Sequence, residues 1–195
     1  MKLIVGLGNP GKEYEDTRHN LGYRVVERLS RDTGICFRKE KYYHSFIARG
    51  EICGQETILS LPLTFMNLCG NAVEAILKDK DIAKKDTIVV CDDINLGLGG
   101  IRIRPCGSSG GHKGLASVIA ALGAQDFPRL RLGIRPQEWP LRKGPLDKYV
   151  LSPWSNSQRR QLNLAIEKGK DCLRQWLTTD IDKVMSKFNT KEQRQ

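Results

Sequence analysis

The chain has 195 residues, enough for one domain with a full hydrophobic core. Its 39% hydrophobic and 28% charged residues exclude a disordered or low-complexity chain, and no run approaches the ~18 uninterrupted apolar residues of a membrane span. Thirty-two Lys and Arg against 22 Asp and Glu leave a net charge of +10, which favours a polyanionic partner such as nucleic acid because each neutralised phosphate releases counterions.

The first predicted element is a strand near residues 2–7; the apolar run there is too short for a signal peptide and ends in a Gly-Asn-Pro-Gly turn. Gly6-Leu7-Gly8-Asn9-Pro10-Gly11 satisfies G-x-G-x-x-G, but a dinucleotide site needs the helix to start inside the motif. Pro10 occupies a motif position, and an apolar helical face begins only at Leu21, continuing through Val25, Val26 and Leu29. The motif therefore reads as a tight turn presenting Asn9 above the end of a sheet, not as a nicotinamide site. Strand-like runs follow near 45–52 and 56–61. Thr64 is a candidate cap for a second helix, with Leu68, Ala72, Val73, Ile76 and Leu77 on its apolar face. Further strands are predicted near 87–92, 100–104 and 129–134, with a helix through Leu115, Val118, Ile119 and Leu122 between the last two. Three prolines make 135–148 a long surface loop. A long helix through Leu162, Ile166, Leu173, Trp176 and Leu177 follows capping candidates Ser155 and Asn156. This alternation predicts a single α/β domain over 1–188 with a largely parallel or mixed sheet, and residues 189–195 form a polar, frayed tail. Six cysteines without a C-x-x-C pair carry no zinc or redox signature and read as free thiols in a reducing, cytoplasmic compartment.

Few residues can carry chemistry. His19 lies in Thr17-Arg18-His19-Asn20 at the entrance to the first helix, where the positive end of the helix dipole keeps an imidazole neutral and able to accept a proton. His112 ends the glycine-rich stretch Gly107–Gly111 just before a helix, where backbone amides can approach an anion or carbonyl oxygen. His44, among Lys41, Tyr42 and Tyr43, reads as structural or surface. Cys91-Asp92-Asp93 closes a strand, and a carboxylate there can orient an imidazole. Asn67 offers a carboxamide that can donate and accept. Arg102 and Arg104 share one strand face, as do Arg129 and Arg131, so each pair could clamp a phosphate.

The ordered set Leu3–Gly11, Tyr14, Thr17–Asn20, Pro62–Asn67, Cys91–Leu96, Gly107–His112 and Arg129–Ile134 resembles the bacterial-type peptidyl-tRNA hydrolase family across most of the chain. That resemblance implies a single domain with a twisted mixed sheet flanked by helices, no metal or cofactor, and hydrolysis of the ester between peptide and tRNA by a monomer. It implies His19 as general base and Asp92 as its orienting partner, with Asn9, Asn67 and His112 positioning substrate, Tyr14 and Met66 lining the crevice, and Arg104 and Arg131 gripping a tRNA phosphate. The chain departs from the family pattern at Lys113, where the family usually has Asn, and after Asp93, where Asn95 and Gly97-Leu98 replace a second acidic residue and a proline. Lys113 would carry an ammonium into the substrate-contacting region and discourage protonation of His112. A non-catalytic RNA-binding protein on the same scaffold is the alternative.

Overall fold

A computed structural model of the chain describes residues 1–136 and 145–189. Seven strands form one sheet: β1 (Lys2–Gly6), β2 (Arg38–Glu40), β3 (Ser45–Ile52), β4 (Gln55–Pro62), β5 (Thr87–Gly97), β6 (Ile101–Arg104) and β7 (Arg129–Arg135). Their order is β2-β3-β4-β1-β5-β7-β6. The central strands β4, β1, β5 and β7 run parallel, whereas β2, β3 and β6 at the flanks pair antiparallel. The fold is therefore the mixed, mostly parallel α/β sheet that the alternation of elements implies.

Burial on both faces explains the apolar runs of the central strands. Leu3 and Val5 pack with Val89 and Cys91 on one side, while Ile4 packs with Ile88 and Val90 on the other. The first side is covered by α2 (Cys69–Lys80) and α3 (Lys113–Leu122); the second by α1 (Leu21–Thr33), α5 (Arg159–Thr178) and α6 (Ile181–Phe188). Leu162, Ile166, Leu173, Trp176 and Leu177 form the buried stripe of α5 as their spacing predicts. β3 and β4 turn through Cys53 and Gly54, both at positive φ, the backbone a two-residue hairpin requires. α1 can press against the end of β1 only because residue 22 is glycine; a Cβ there would run into the carbonyl oxygens of Leu7 and Val90.

Several expectations need correction. β2 was hidden because its three residues are Arg, Lys and Glu; charges suit an edge strand but erase the apolar alternation. β5 continues past Asp93 to Gly97, with a register irregularity against β7, and Asn95 N donates to Asp93 Oδ1 at 2.9 Å. Thr64 caps nothing: a 3-10 turn, Met66–Leu68, leads into α2, and the Thr64 hydroxyl is buried without a hydrogen-bond partner. Part of the expected 135–148 loop is helical, α4 (Leu146–Val150), while 137–144 lies outside the described residues. Asn189 is held in place, its Oδ1 accepting from the Ile103 amide of β6 at 2.8 Å; the rest of the expected tail, 190–195, lies outside the described residues.

Candidate active site

Because β4, β1 and β5 are parallel, the segments that leave their carboxyl ends converge. Asp92 continues the Ile88–Val90 alternation of β5 and so points to the α1 side of the sheet. The 3-10 turn Arg18–Asn20 runs directly into α1 and carries His19 to it. His19 Nδ1 lies 2.8 Å from Asp92 Oδ1. From the other side, the loop after β6 climbs back to the same carboxylate and delivers His112, whose Nε2 is 3.0 Å from Asp92 Oδ1. The imidazole rings stand 4.8 Å apart, centre to centre.

Hydrogen bonding fixes both tautomers. His112 Nδ1 accepts from the Gly114 and Leu115 amides, each at 3.1 Å, and thereby caps α3. That nitrogen is committed as an acceptor, so the ring proton sits on Nε2 and is donated to Asp92. His112 is a neutral donor here because α3 makes it so. His19 also donates to Asp92, through Nδ1, which leaves its Nε2 with a free lone pair. Of the two rings, only His19 can accept a proton without surrendering a bond it already makes.

Asp92 is 3% exposed. Burial alone would push its carboxyl up, but the positive charge that His19 and His112 carry once protonated, together with the hydrogen bonds both rings donate, outweighs burial and holds it well below the usual carboxylate range. The group is thus ionised whenever a neighbouring imidazole gains a proton. His19, Asp92 and His112 also offer three ligand atoms within 4.8 Å of one another. Metal binding would require a lone pair on His112 Nε2, hence an imidazolate or loss of the α3 cap. In the arrangement observed, the three groups form a hydrogen-bonded relay.

A cavity opens on the relay, lined among others by Ser109, Gly110, Lys113, Arg131, Leu146 and Val150. His19, Asp92, His112, Lys113 and Arg131 are all part of that lining. Asn9, Tyr14, Met66, Asn67 and Arg104 are not, and each has its own placement. Asn9 is buried beside the relay turn: its backbone is clamped by Asn20, whose Oδ1 accepts from Asn9 N at 2.8 Å and whose Nδ2 donates to Asn9 O at 2.9 Å. Asn9 Oδ1 in turn accepts from Met66 N at 2.9 Å. The Asn9 oxygen is therefore occupied, and its Nδ2 is the end left to donate. Met66 is buried against Gly114 at the start of α3, where a Cβ would strike its sulfur. Asn67 is exposed, between the exposed apolar side chains of Phe65 and Leu68. Tyr14 is half-buried and closes its turn through its carbonyl, which accepts from Thr17 N and Oγ1. His44 is exposed and outside the cavity.

The arginines separate in a way the strand pattern could not reveal. Arg104 is exposed on edge strand β6. In register, Arg102 faces Arg131 and Arg104 faces Arg129, but Arg104, at the sheet edge, carries its guanidinium to the sulfur of Met185 on α6, 3.9 Å away. Arg129 is nonetheless no phosphate clamp. It is 1% exposed and donates to the carbonyls of Gln125 at 2.8 Å, Phe127 and Gly107. It ties the start of the glycine loop to the sheet. Arg129→Met should strip the carbonyls of Gln125, Phe127 and Gly107 of a donor and empty a buried site, destabilising the fold by ~3 kcal/mol, read from urea unfolding. Arg131 remains partly exposed, with Nη2 2.9 Å from Asp93 Oδ2. Lys113 does not direct its charge at His112: its ammonium spans to Asp147 on α4, 3.1 and 3.2 Å from the two carboxylate oxygens.

Asn20 and Asp93 were not singled out by sequence reasoning. Asn20 resembles any helix-entry polar residue, and Asp93 differs from Asp92 only by strand parity, which sends it to the side of Arg131. A larger surface groove lined by Tyr23, Arg24, Glu27, Ile35 and Phe37 contains none of the expected site residues.

The chain matches the family described as Peptidyl-tRNA hydrolase over residues 3–195. It is 40% identical over 190 residues to a protein named peptidyl-tRNA hydrolase from Carboxydothermus hydrogenoformans, covering 97% of this chain and 98% of the relative. It is 41% identical over 193 residues to one of the same name from Aquifex aeolicus, covering 98% of each. The crystal structure of peptidyl-tRNA hydrolase from Acinetobacter baumannii superposes with a TM-score of 0.89 at 32% identity, covering 97% of this chain and 95% of that one.

Proposed function

Because the chain belongs to the peptidyl-tRNA hydrolase family, we propose that it hydrolyses the ester joining a peptide to tRNA, with His19 as general base and Asp92 as the group that orients and stabilises it. The observation that carries this reading is the fixed tautomer: Asp92 accepts a hydrogen bond from the Nδ1–H of His19 at 2.8 Å, so Nε2 is the basic nitrogen of the relay. His19 Nε2 removes a proton from water as the oxygen adds to the ester carbonyl. The ester C–O bond then breaks, the imidazolium returns its proton to the departing tRNA 3′-oxygen, and the peptide leaves as a carboxylic acid. An ester is activated enough that no covalent nucleophile is needed.

Asn9 Nδ2, and the loop amides of Gly110 and Gly111 that line the cavity, are the proposed donors for the developing oxyanion, since the Gly114 and Leu115 amides are held by His112. Asn67 with Phe65 and Leu68 offers the polar and apolar surface that a peptide would use. Met66 acts through position, fixed by Asn9 on one side and α3 on the other; Tyr14 belongs to the turn before His19 and is read as a substrate contact. Arg104 and Arg131 are the proposed phosphate contacts, with Asp93 keeping Arg131 extended until a phosphate competes for it. We read the enzyme as a metal-free monomer of the cytoplasm, a compartment suited to its six free thiols.

The test is peptide release from purified peptidyl-tRNA across salt concentration. Release, with apparent affinity falling steeply as salt rises, supports the reading. Binding without release would leave a non-catalytic RNA-binding protein instead.

Lys113 yields a separate prediction. Its partner Asp147 is as exposed as it is, so the pair contributes no more than ~1 kcal/mol to stability. Asp147→Asn frees the ammonium for a polyanionic substrate. KM should fall by about two- to five-fold at low salt, with the difference vanishing at high salt. An Asp147→Asn enzyme with unchanged KM at low salt would show that Lys113 does not meet substrate.

A further inference from the structure

Arg18 precedes His19 and is 6% exposed, a charged side chain inside the protein. No carboxylate pairs with it among the described residues; its partners are neutral. Nη1 donates to Ser152 O at 3.0 Å, Ser152 Oγ at 2.6 Å and Pro153 O at 2.9 Å, and Nη2 donates to Gln158 Oε1 at 2.8 Å. The guanidinium lies 4.3 Å from the ring centre of Tyr149 and 5.0 Å from that of Trp154. The backbone follows the same path: Arg18 N donates to Ser152 O, Thr17 bridges Pro153, and Trp154 N donates to Asp16 O.

The segment gripped in this way begins in α4 and continues beyond it. Leu146, Asp147 and Val150 of α4 line the same cavity as His19. One side chain therefore holds two things at once: the 3-10 turn that aims His19 and the segment that places another wall of the cavity. Desolvating a guanidinium costs energy that neutral acceptors only partly return, and a buried cation without a counterion adds little as a charge. What an arginine does here that a lysine cannot is present a rigid planar fork to several acceptors while stacking between two rings.

We propose that Arg18 is a positioning residue for the reaction, its guanidinium setting the placement of His19 relative to Asp92 and to the α4 wall. The proposal rests on the hydrolase reading for its kinetic consequence but not for its geometric one. A misplacement on the scale of 1 Å at a reacting group can cost about 100-fold, so the expected loss is large for a residue that touches neither substrate nor Asp92.

The experiment compares wild type with Arg18→Met, Arg18→Lys and Gln158→Met, each at a temperature where circular dichroism shows it folded. Two readouts are taken: kcat and KM for peptidyl-tRNA, and the low-field proton resonance of the His19–Asp92 hydrogen bond, identified by its disappearance in His19→Ala. Arg18→Met should lower kcat by about 10- to 100-fold and raise KM several-fold. It should also shift or broaden the His19 resonance while leaving that of His112 in place. Arg18→Lys, which keeps the charge, should not restore kcat; Gln158→Met, which removes one contact far from the cavity, should give a smaller loss of the same kind. A folded Arg18→Met with wild-type kcat and an unmoved resonance overturns the proposal, as does full activity in Arg18→Lys. If Arg18→Met does not fold, the other two variants decide by the same readouts. If wild type releases no peptide, the hydrolase reading fails by itself, and the resonance still decides the placement: unmoved in the Arg18 variants, it overturns this proposal too.

Discussion

Replacing His19 with alanine is expected to leave a folded protein that still binds tRNA but releases peptide about 10²–10⁴ times more slowly, the range a positioned base supplies. Folding should survive because the turn is held by its neighbours. Asn20 clamps Asn9, and Arg18 grips the segment after α4. Asp92 would retain His112 as a donor at 3.0 Å, so its carboxylate is not stranded, and the loss of one buried charge-assisted bond costs ~1–3 kcal/mol. Nothing replaces the lost base. His112 cannot turn its Nδ1 to the task without uncapping α3. Single-turnover release at saturating enzyme, with tRNA binding measured in parallel, checks both halves. A His19→Ala protein with near-normal turnover would remove His19 from the mechanism.

Asp92→Asn should lose at least ~100-fold in kcat with little change in KM. An asparagine oxygen in place of Oδ1 can still accept from both imidazoles, so the geometry is kept. The negative charge is not, and the imidazolium that forms at His19 loses its stabilisation. The same substitution carries a stability signature. The Asp92 carboxyl is held below its ordinary range in the folded protein, so it contributes stability that is present above the unfolded carboxyl value of about 3.9 and lost as pH falls through the folded value. Wild type should therefore be the more stable protein near neutrality, and its advantage over Asp92→Asn should shrink as pH falls below about 4. Urea unfolding from neutral pH downward measures it; an advantage that stays constant to pH 3 would contradict the charged relay.

Much of this was legible in the sequence because strand parity and helix periodicity are local. The apolar runs of β1 and β5 and the α5 stripe follow from those local rules, whereas the pairing of His19 with Asp92 came from the family resemblance, because the residues alone left Asp92 and Asp93 equally open. Three things were not legible, each because the partner is distant in the chain. Arg129 and Arg131 look alike as alternate residues on a strand, yet one is sealed beneath the glycine loop by carbonyls at 107, 125 and 127, and the other reaches Asp93. His112 was read as a contact beside a glycine loop; that it shares Asp92 with His19, and that α3 dictates its tautomer, depends on where a loop from an antiparallel edge strand returns. Lys113 was expected to act on its neighbour His112, but the lysine stem carries the ammonium to Asp147 on α4, in a segment the prolines had marked as loop. The end of β5 shows the converse limit: polar Asp-Asp-Ile-Asn reads as a turn, and only pairing with β7 keeps it extended to Gly97.

The proposed hydrolysis requires His19 and Asp92 to work as one device. The most direct measurement is single-turnover peptide release by His19→Ala, Asp92→Asn and the double variant under identical conditions. Residues that act as a unit lose their effect together, so the double variant is predicted to fall within about three-fold of His19→Ala. A double variant slowed by the product of the two separate losses would mean that the carboxylate and the imidazole contribute independently, and would contradict the relay.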